Sequence, residues 1–393
     1  MEKKKNIIKT NQAPLHGIIV IDLTRVLAGP YSTMQLADLG ARVIKVESIE
    51  GGDDSRSFGP FYKNVSTYFT SLNRGKESIQ LNLKDKKDKN IFLQLIKKAD
   101  VLVENYRPGT MDKLGLKKNK LFKENPRLVY ASCSGFGQTG EMSSKPAYDL
   151  IVQALGGIMS LTGHENQSPV RVGTSIGDIT AGLFTTIGIQ SALIKRNNTN
   201  KGSYIDISML DCQVAILENA VSRYFCEKKI PKKLGSRHPS IAPFECYKCK
   251  DDFIALAAGN NNLFKKLCES LSSQDILKLK LFKTNDLRLK NADKLKNMLE
   301  KILSKRKSSY WISKISSYGV PVSKLNDIKG ILENPQILRR KMVVDVNYNK
   351  HLKIKVAGNP IKISNFKDKG FRKPAPTLNQ NRKKILRDFN IIE

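Results

Sequence analysis

The sequence predicts an α/β protein whose larger part is a mainly parallel sheet covered by helices. A chain of 393 residues is too long for one ordinary core, so it is expected to form two domains. Apolar residues make up 40% and charged residues 26%, as in a folded globular protein. Short apolar runs alternate with helical patterns through the first 200 residues, which is typical of a parallel sheet.

The strand-forming runs are rich in Val and Ile, and segments with helical spacing separate them. In chain order they predict strand 17–24, helix 32–40, strand 41–47, helix 89–100, strand 101–105 and strand 127–134. Ligands gather at the carboxyl ends of parallel strands, so the loops after these strands are the first place to look for a site.

The character of the sequence changes after about residue 222. Residues 223–240 are polar and carry Gly and Pro, which indicates a linker. Residues 244–259, FECYKCKDDFIALAAG, predict a hairpin that is followed by Lys-rich helices. We therefore predict a large domain over 1–225, a smaller α+β domain over 226–328, and a return segment over 329–393 that completes the large domain.

The net charge of +32 comes from lysine more than from arginine, with 51 Lys and 17 Arg spread along the chain. Arginine is the usual residue for reading phosphates and base edges, so nucleic acid is not expected as a partner. The surplus is interpreted as compositional bias, or as a field that favours anionic substrates. No apolar run reaches the roughly 18 residues of a membrane span, and the N-terminus has no apolar signal core. The sequence thus predicts a soluble cytoplasmic protein with no membrane partner.

Two short motifs suggest other chemistry. GFGQTG, residues 135–140, fits the dinucleotide pattern G-x-G-x-x-G, but Pro146 opposes an immediate helix and no ribose-binding acid follows. A Rossmann oxidoreductase therefore remains an alternative. Cys246 and Cys249 form a CxxC without a second ligand pair, so no metal site is predicted and the thiols are expected to be reduced.

Longer motifs carry a resemblance that covers residues 15–378, nearly the whole chain. The chain resembles the class III CoA-transferase, or CaiB/BaiF, family at residues 20–47, 103–116, 134–140, 146–163, 172–189, 318–328 and 333–337. Residues 235–264 look like the branch of the family that uses dicarboxylates, typified by succinyl-CoA:glutarate CoA-transferase. A histidine that the family carries near the C-terminus is replaced here by Asn381, so no role is placed on it.

The resemblance implies a fold and a reaction. The fold would be a Rossmann-like large domain with a smaller domain, assembled as an interlocked homodimer. The reaction would move CoA from an acyl-CoA donor, by this resemblance succinyl-CoA, to a carboxylic acid, by this resemblance a dicarboxylate. It would pass through an aspartyl anhydride and an aspartyl-CoA thioester. Coenzyme A would be a substrate, and no cofactor would be required.

Asp178, in GTSIGDIT, matches the nucleophilic aspartate of the family. A carboxylate suits covalent transfer, because it can attack a thioester and later be released unchanged. From the residues alone, Asp178 could instead cap the helix predicted to begin at ITAGLF, and the two roles could coexist because both need a carboxylate at a helix N-terminus.

The resemblance also marks the residues expected to bind substrates. The positions that match CoA contacts of the family are Val26, Leu27, Leu81, Asn105, Tyr106, Arg107, Lys113 and Tyr148. The candidates for holding the acceptor acid are Arg171, Arg237 and His238. The related α-methylacyl-CoA racemases have a histidine base where this chain has Tyr148, so racemisation is the alternative activity.

Overall fold

The computed structural model describes residues 13–366 and 368–392. The chain divides into two compact units. The first comprises Met1–Met159, Arg171–Cys226 and Pro335–Glu393 as far as these are described, and the second comprises Ser160–Val170 and Glu227–Asn334. The second unit thus includes residues 160–170, which the sequence prediction assigned to the large domain, and it extends to 334 rather than 328.

The strands are β1 (Ile19–Asp22), β2 (Arg42–Glu47), β3 (Phe61–Tyr62), β4 (Val65–Ser66), β5 (Glu77–Gln80), β6 (Val101–Glu104), β7 (Val129–Ser134), β8 (Ser203–Ser208), β9 (Phe244–Lys248), β10 (Phe253–Ala257), β11 (Val322–Lys324), β12 (Val343–Asn349), β13 (Leu352–Ala357) and β14 (Phe371–Arg372).

The helices are α1 (Ala28–Asp38), α2 (Thr67–Asn73), α3 (Lys86–Lys98), α4 (Thr110–Lys113), α5 (Lys118–Glu124), α6 (Asp149–Leu155), α7 (Ile158–Leu161), α8 (Ile176–Thr199), α9 (Met209–Ala215), α10 (Ala220–Glu227), α11 (Asn261–Ser270), α12 (Gln274–Lys278), α13 (Asn285–Lys290), α14 (Ala292–Leu303), α15 (Ser308–Ser317), α16 (Ile328–Leu332), α17 (Pro335–Arg339) and α18 (Arg382–Asp388). Short 3-10 helices cover Asp54–Ser57 and Lys280–Phe282. Among the described residues, no helix is both long and apolar enough to cross a membrane.

The main sheet of the first unit is parallel throughout, with the order β5-β2-β1-β6-β7-β8. Counted in chain order within this sheet, the strands run 3-2-1-4-5-6, which is the order of doubly wound α/β proteins. The predicted strands at 17–24, 41–47, 101–105 and 127–134 are confirmed as β1, β2, β6 and β7. The chain winds outward in opposite directions from β1 and β6, so a crevice opens between the ends of these two strands.

Both faces of the sheet are buried, because alternate residues of each strand belong to different cores. Val20, Val101 and Val129 face one core, together with side chains of α1 and α8. Ile21 and Leu102 face the other core, which also contains side chains of α3, α5 and α18. This two-sided burial explains why the strands read as continuous apolar runs.

Helix α8 lies against α1 at close range, and this contact fixes the start of α8. A Cβ on Gly182 would lie 2.7 Å from the carbonyl oxygen of Ala28, so only glycine permits the approach. One turn further on, the hydroxyl of Thr186 donates to that of Ser32 at 3.0 Å. Helix α1 itself begins at Ala28, earlier than the predicted 32, since Pro30 is tolerated in a first turn where its missing N–H has no helical partner.

The second unit has its own core. Its antiparallel sheet has the order β11-β10-β9, and the predicted hairpin at 244–259 is confirmed as β9 and β10. Helices α11 to α15 supply apolar side chains to the same core. Arg288 is fully buried there, and its guanidinium donates to the carbonyl oxygens of Ala242 and Phe282 and to Asn261.

Candidate active site

The loops that follow β1 and β6 meet at the crevice between these two strands. Arg25, Val26 and Leu27 form the first loop, and Asn105, Tyr106 and Arg107 form the second. Both loops line one cavity of about 470 Å³, which we call cavity A. Its position agrees with the general rule that doubly wound sheets bind ligands at the switch point. Five predicted CoA-binding residues of the two loops are thereby brought together.

The first loop is held in an unusual conformation. Val26 has φ of 66°, a left-handed value that a β-branched residue rarely adopts. Its N–H donates to Asp53 at 3.1 Å, and Asp53 forms a buried ion pair with Lys45 at 2.8 Å. Lys45 also donates to the carbonyl oxygen of Thr24 at 2.7 Å. A buried charged pair thus fixes the backbone on both sides of Arg25, and strain stored in such a loop is typical of ligand sites.

The second loop is tied down from beneath by a buried acid. Glu104, the last residue of β6, accepts the N–H of Tyr106 at 2.7 Å. Burial raises the pKa of Glu104 to about 7, against the opposing effects of hydrogen bonds from Ser132, Tyr106 and Tyr130. Burial also raises the pKa of Tyr106 to about 12, so its phenol remains protonated at neutral pH.

Cavity A carries positive charge at its rim. Arg25, Arg107 and Lys145 all line it. Arg25 is paired with Asp54, whereas Arg107 and Lys145 form no ion pair within the described part of the chain. Two uncompensated cations beside a crevice at the ends of β-strands suit a phosphorylated ligand.

Asp178 lies in the wall of cavity A, in the first turn of α8. The side chain is largely but not completely buried. Burial, and then the negative charge of Asp149, raise the pKa of Asp178 to about 7. A carboxylate with a raised pKa is a stronger nucleophile than an ordinary one, and the helix N-terminus helps to hold its charge near neutral pH.

Asp178 also lines a second cavity of about 680 Å³, which we call cavity B. Arg25, Val26, Asp54, Tyr148 and Asp178 are common to both cavities. The residues found only in cavity B are Ser57, Phe58, Tyr68, Asp149, Leu150, Arg171 and Ser175. A single carboxylate is therefore reachable from two sides, one with cations suited to phosphates and one with the guanidinium of Arg171.

Other reactive groups near Asp178 are less suited to chemistry. Cys133 lines cavity A, but burial raises the pKa of its thiol to about 12, so the nucleophilic thiolate is scarce. Tyr148 is 76% exposed and precedes α6. Tyr68 lies in cavity B, and burial together with Asp178 raises the pKa of its phenol.

Not every predicted substrate-binding residue lies in these cavities. Leu81 is 2% exposed and packs in the core beneath the sheet, and Lys113 is exposed on α4 outside the lining of cavity A. Arg237 and His238 belong to the second unit. Arg237 pairs there with Glu245 at 2.9 Å and Asp293 at 2.8 Å, and His238 accepts the N–H of Ser240 through Nδ1.

The structure adds residues that sequence reasoning missed. Arg25 and Lys145 line cavity A, and Tyr68 lines cavity B. Arg25 directly precedes Val26 in a loop that was already predicted to bind CoA, so its place in the sequence could have identified it. Lys145 and Tyr68 come from segments of no distinctive pattern, and only the fold brings them to Asp178.

The two alternative motifs have ordinary structural roles. GFGQTG is followed by turns, and the next helix begins only at Asp149, so no helix N-terminus opens at its glycines. Cys246 lies on β9 and Cys249 in the following turn, and both are free thiols. Across residues 13–366 and 368–392, no three side chains of His, Cys, Asp or Glu come together to hold a metal ion.

The fold and the cavities define a doubly wound α/β protein with a carboxylate at a switch-point crevice. The chain belongs to CoA-transferase family III, since the model of that family matches residues 15–382. The protein is therefore an enzyme of this family, and the resemblance found in its sequence motifs is confirmed.

Named relatives are similar over almost the full length. An acetyl-CoA:oxalate CoA-transferase of Acetobacter aceti is 45% identical, with 96% of each chain covered. The mouse succinyl-CoA:glutarate CoA-transferase is 39% identical over 95% of this chain and 86% of its own. A crystal structure of a CaiB/BaiF family protein from Brucella suis has a TM-score of 0.84 and 35% identity, covering 96% of this chain and 99% of that one.

Proposed function

We propose that this enzyme moves CoA from an acyl-CoA donor to a dicarboxylic acid, with Asp178 as the covalent nucleophile. The observation that carries the proposal is the position of Asp178 in the wall shared by cavities A and B. Cavity A would hold CoA and cavity B the acids. A carboxylate between the two can exchange acyl groups and CoA without either substrate crossing the site.

The reaction would begin when the Asp178 carboxylate attacks the thioester carbonyl of the donor. The C–S bond breaks, giving a mixed anhydride and CoA thiolate. The thiolate then attacks the aspartyl carbonyl of the anhydride, which releases the donor acid and leaves Asp178 as a CoA thioester. The covalent intermediates divide one difficult transfer into easier steps.

The acceptor carboxylate then attacks the Asp178 thioester, forming a second anhydride and releasing CoA thiolate again. Attack of the thiolate on the acceptor carbonyl gives the new acyl-CoA and restores the Asp178 carboxylate. One oxygen of the acceptor remains on Asp178 in this last step. The backbone N–H groups at the start of α8 would stabilise the tetrahedral oxyanions.

For CoA in cavity A, the support comes from the two loops at the switch point. Arg107 and Lys145 would neutralise phosphate charge, and Val26, Leu27 and Tyr106 would contact the rest of the molecule. Lys113 lies on the exposed side of α4, outside the lining of cavity A. It would contact CoA only through a phosphate group that extends beyond this cavity. Leu81 would act through the packing of the sheet rather than by contact.

For the acids, Arg171 in cavity B is the best-placed cation. A guanidinium can bind a carboxylate with two hydrogen bonds, so it would separate a diacid from a monoacid by charge. Arg237 is a weaker choice for this role, because Glu245 and Asp293 already balance its charge. The His238 ring is already engaged within the second unit, where Nδ1 accepts the N–H of Ser240 and the ring contacts Phe244.

Succinyl-CoA is proposed as the donor and a C4 to C6 dicarboxylate as the acceptor. The 39% identity to an enzyme named for succinyl-CoA and glutarate supports this choice. The 45% identity to an enzyme named for acetyl-CoA and oxalate supports a second candidate, in which acetyl-CoA is the donor and oxalate the acceptor. One methylene changes binding by only about 1–3 kcal/mol, so several diacids of neighbouring length are expected to be accepted.

Racemisation of an acyl-CoA is the alternative activity. It needs two groups that exchange protons with one carbon, and Tyr148 is a poor base because an ordinary phenol has a pKa of about 10. No histidine is present among the described residues that line cavity A or cavity B. Exchange of deuterium from solvent into a 2-methylacyl-CoA without CoA transfer would favour racemisation.

The test follows the oxygen atoms and the products. Acceptors with ¹⁸O-labelled carboxylates are incubated with succinyl-CoA or acetyl-CoA, and both the acyl-CoA products and the Asp178 peptide are weighed by mass spectrometry. The proposal expects label on Asp178 and no transfer by Asp178→Ala, which still binds CoA within a few fold. Full turnover by Asp178→Ala would contradict it, and the winning pair in the acceptor panel decides between the two candidates.

We also propose a homodimer that needs no cofactor. Helices α6, α8 and α9 pack together in the first unit and leave large apolar side chains exposed, which suits burial against a second copy. These exposed residues are Leu150, Ile151, Leu155, Leu183, Ile187, Ile194 and Val214.

A further inference from the structure

Two side chains of α6 hold the backbone that leads into Asp178. Asp149, the first residue of α6, accepts the N–H of Gly177 through Oδ1 at 2.9 Å. Gln153, one turn later, accepts the N–H of Val172 through Oε1 at 2.9 Å. Gln153 also donates to Asp149 Oδ2 at 2.7 Å, so the two side chains act as one clamp on the residues before Asp178.

The clamp is buried and closely fitted. Asp149 is 8% exposed and Gln153 is fully buried. A Cβ on Gly177 would lie 3.0 Å from Asp149 Oδ1, so the glycine permits the short contact. An acid in such a place is expensive unless donors surround it. The donors here are Gly177 and Gln153, and the guanidinium of Arg171 forms a longer ion pair with Asp149 at 3.7 Å.

Asp149 is also the acid that faces Asp178. Other titratable groups share the two cavities with Asp178: Tyr68 on α2, Cys133 on β7, Tyr148 before α6, the Arg25–Asp54 pair, Arg171, and Tyr106, Arg107 and Lys145 of cavity A. After burial, the charge of Asp149 is the neighbouring cause that raises the pKa of Asp178. Arg171 acts in the opposite sense on any carboxylate, but it lies against Asp149.

We propose that Asp149 is a positioning residue that orients Asp178 through Gly177 and, as a second negative charge, disfavours its free carboxylate relative to its acylated forms. The inference rests on the proposed function of Asp178. When Asp178 becomes an anhydride or a CoA thioester, it loses its charge and the repulsion from Asp149 disappears. Asp149 therefore favours formation of the covalent intermediates through its charge and through its hold on Gly177.

The first experiment compares the pH dependence of kcat/KM in the wild type and in Asp149→Asn. The plot of kcat/KM against pH reports the groups of the free enzyme, and ionisation of the substrates is the same for both proteins. The wild type should lose activity as pH falls below about 7, where Asp178 is protonated. Removing the charge of Asp149 should stabilise the Asp178 carboxylate, so this acid limb should move to lower pH by about one unit.

The second readout is the amount of covalent intermediate. Rapid quenching with acid and mass spectrometry of the Asp178 peptide should give about tenfold less CoA thioester in Asp149→Asn at pH 8.5, if one unit of pKa is carried into the acylation equilibrium. Asp149→Glu retains the charge and should keep the acid limb of the wild type, even if its rate is lower.

Gln153→Ala is the matched control, because it opens the same clamp without changing the charge. It should lower kcat and leave the acid limb in place. Should Asp149→Asn fail to fold, Gly177→Ala displaces the Asp149 carboxylate by adding a Cβ and should move the limb in the same direction. An unmoved limb in folded Asp149→Asn, or an equal shift in Gln153→Ala, would overturn the proposal. Loss of the requirement for Asp178 would instead overturn the proposed function.

Discussion

Asn105 exchanges two hydrogen bonds with the backbone of Arg25. Its Oδ1 accepts the Arg25 N–H and its Nδ2 donates to the Arg25 carbonyl oxygen, each at 2.8 Å. The side chain therefore joins the loop after β1 to the loop after β6, the two strands between which the sheet reverses its winding. Both loops line cavity A, so this one amide helps to set the shape of the cavity.

Replacing Asn105 should weaken CoA binding more than catalysis. Asn105→Ala removes two hydrogen bonds that are each worth about 1 kcal/mol, and it frees a loop that holds Val26 in a strained conformation. We expect KM for the acyl-CoA to rise by about 10-fold or more, with kcat changed by less than about threefold. Steady-state kinetics measures this split, and exposed Asn198 at the end of α8 offers a control, Asn198→Ala. An unchanged KM would show that the loops keep their places without the amide.

Asp178 should destabilise the folded protein at neutral pH. Its folded-state pKa is about 7 against 3.8 for the ordinary group, so the folded state holds the proton more tightly than the unfolded state. Stability from this group is fully present below about pH 4 and is lost as pH rises through 7. Asp178→Asn should therefore melt at a higher temperature than the wild type at pH 8, and the gap should close towards pH 4. Scanning calorimetry across this range measures it; a gap independent of pH would mean that the pKa is not raised.

The Lys45–Asp53 pair should be necessary for folding rather than for chemistry. Both side chains are at most 1% exposed, and loss of one partner leaves a buried charge unpaired. Lys45→Met should cost about 3–5 kcal/mol of unfolding free energy, whereas exposed Lys84→Met should cost less than about 0.5. Urea denaturation of the two variants measures this. The double variant Lys45→Met/Asp53→Asn should recover part of the loss, and a loss equal to the sum of both single variants would show that the pair does not interact.

The exposed apolar side of α8 should be covered in solution by a second copy. Ile187 is 56% exposed and Ile194 is 66% exposed, and their spacing places them on one side of the helix. With a chain mass of 44.1 kDa, light scattering should give about 88 kDa for the wild type. Ile187→Glu/Ile194→Glu should lower that mass or leave the protein insoluble, while Ile392→Glu at the exposed C-terminus should not. A monodisperse 44 kDa wild type would contradict the dimer.

The sequence predicted the sheet better than it predicted the walls of the site. Strands buried on both faces, such as β6 and β7, stand out because their residues are apolar or small, with the exception of Glu104 at the end of β6. Strand β8 lies at the edge of the sheet, where most of its residues are partly buried and Asp206 is exposed, and its sequence SYIDIS is too polar to stand out as a strand. Asp178 could be predicted because the family motif that contains it is long and local, and the structure places it in the wall of cavities A and B.

The remaining wall residues depend on distant contacts. Tyr68 lines cavity B from α2, whose N-cap residue Ser66 also donates to the carbonyl oxygens of Ser55 and Phe58 in the segment after β2. Asp149 looks like any helix-starting acid until its contact with Gly177 is seen. Leu81 was predicted to contact CoA because its position matches a contact of the family. In the structure its side chain is buried in the core among apolar neighbours. Pairings across tens of residues leave no periodic trace in a single sequence.

The last prediction concerns the choice between Arg171 and Arg237 as the residue that binds the second carboxylate of the acceptor. Arg171 lines cavity B with Asp178, and its ion pair with Asp149 is long at 3.7 Å. Arg237 lies in the second unit and is already paired with two acids. Arg171→Gln should raise KM for glutarate by about 10- to 100-fold and change KM for butyrate by less than about threefold, since a charged hydrogen bond is worth about 1.5–3 kcal/mol. Arg237→Gln should leave the ratio of the two acids unchanged.

The measurement is made at pH 8.5 with saturating acyl-CoA, so that Asp178 is ionised in every variant and altered titration cannot imitate altered binding. Arg127→Gln, a surface change at the opposite end of β7, controls for loss of positive charge alone. Loss of the diacid preference in Arg237→Gln with its retention in Arg171→Gln would reverse the assignment. In that case Arg237, rather than Arg171, would be the cation that selects dicarboxylates.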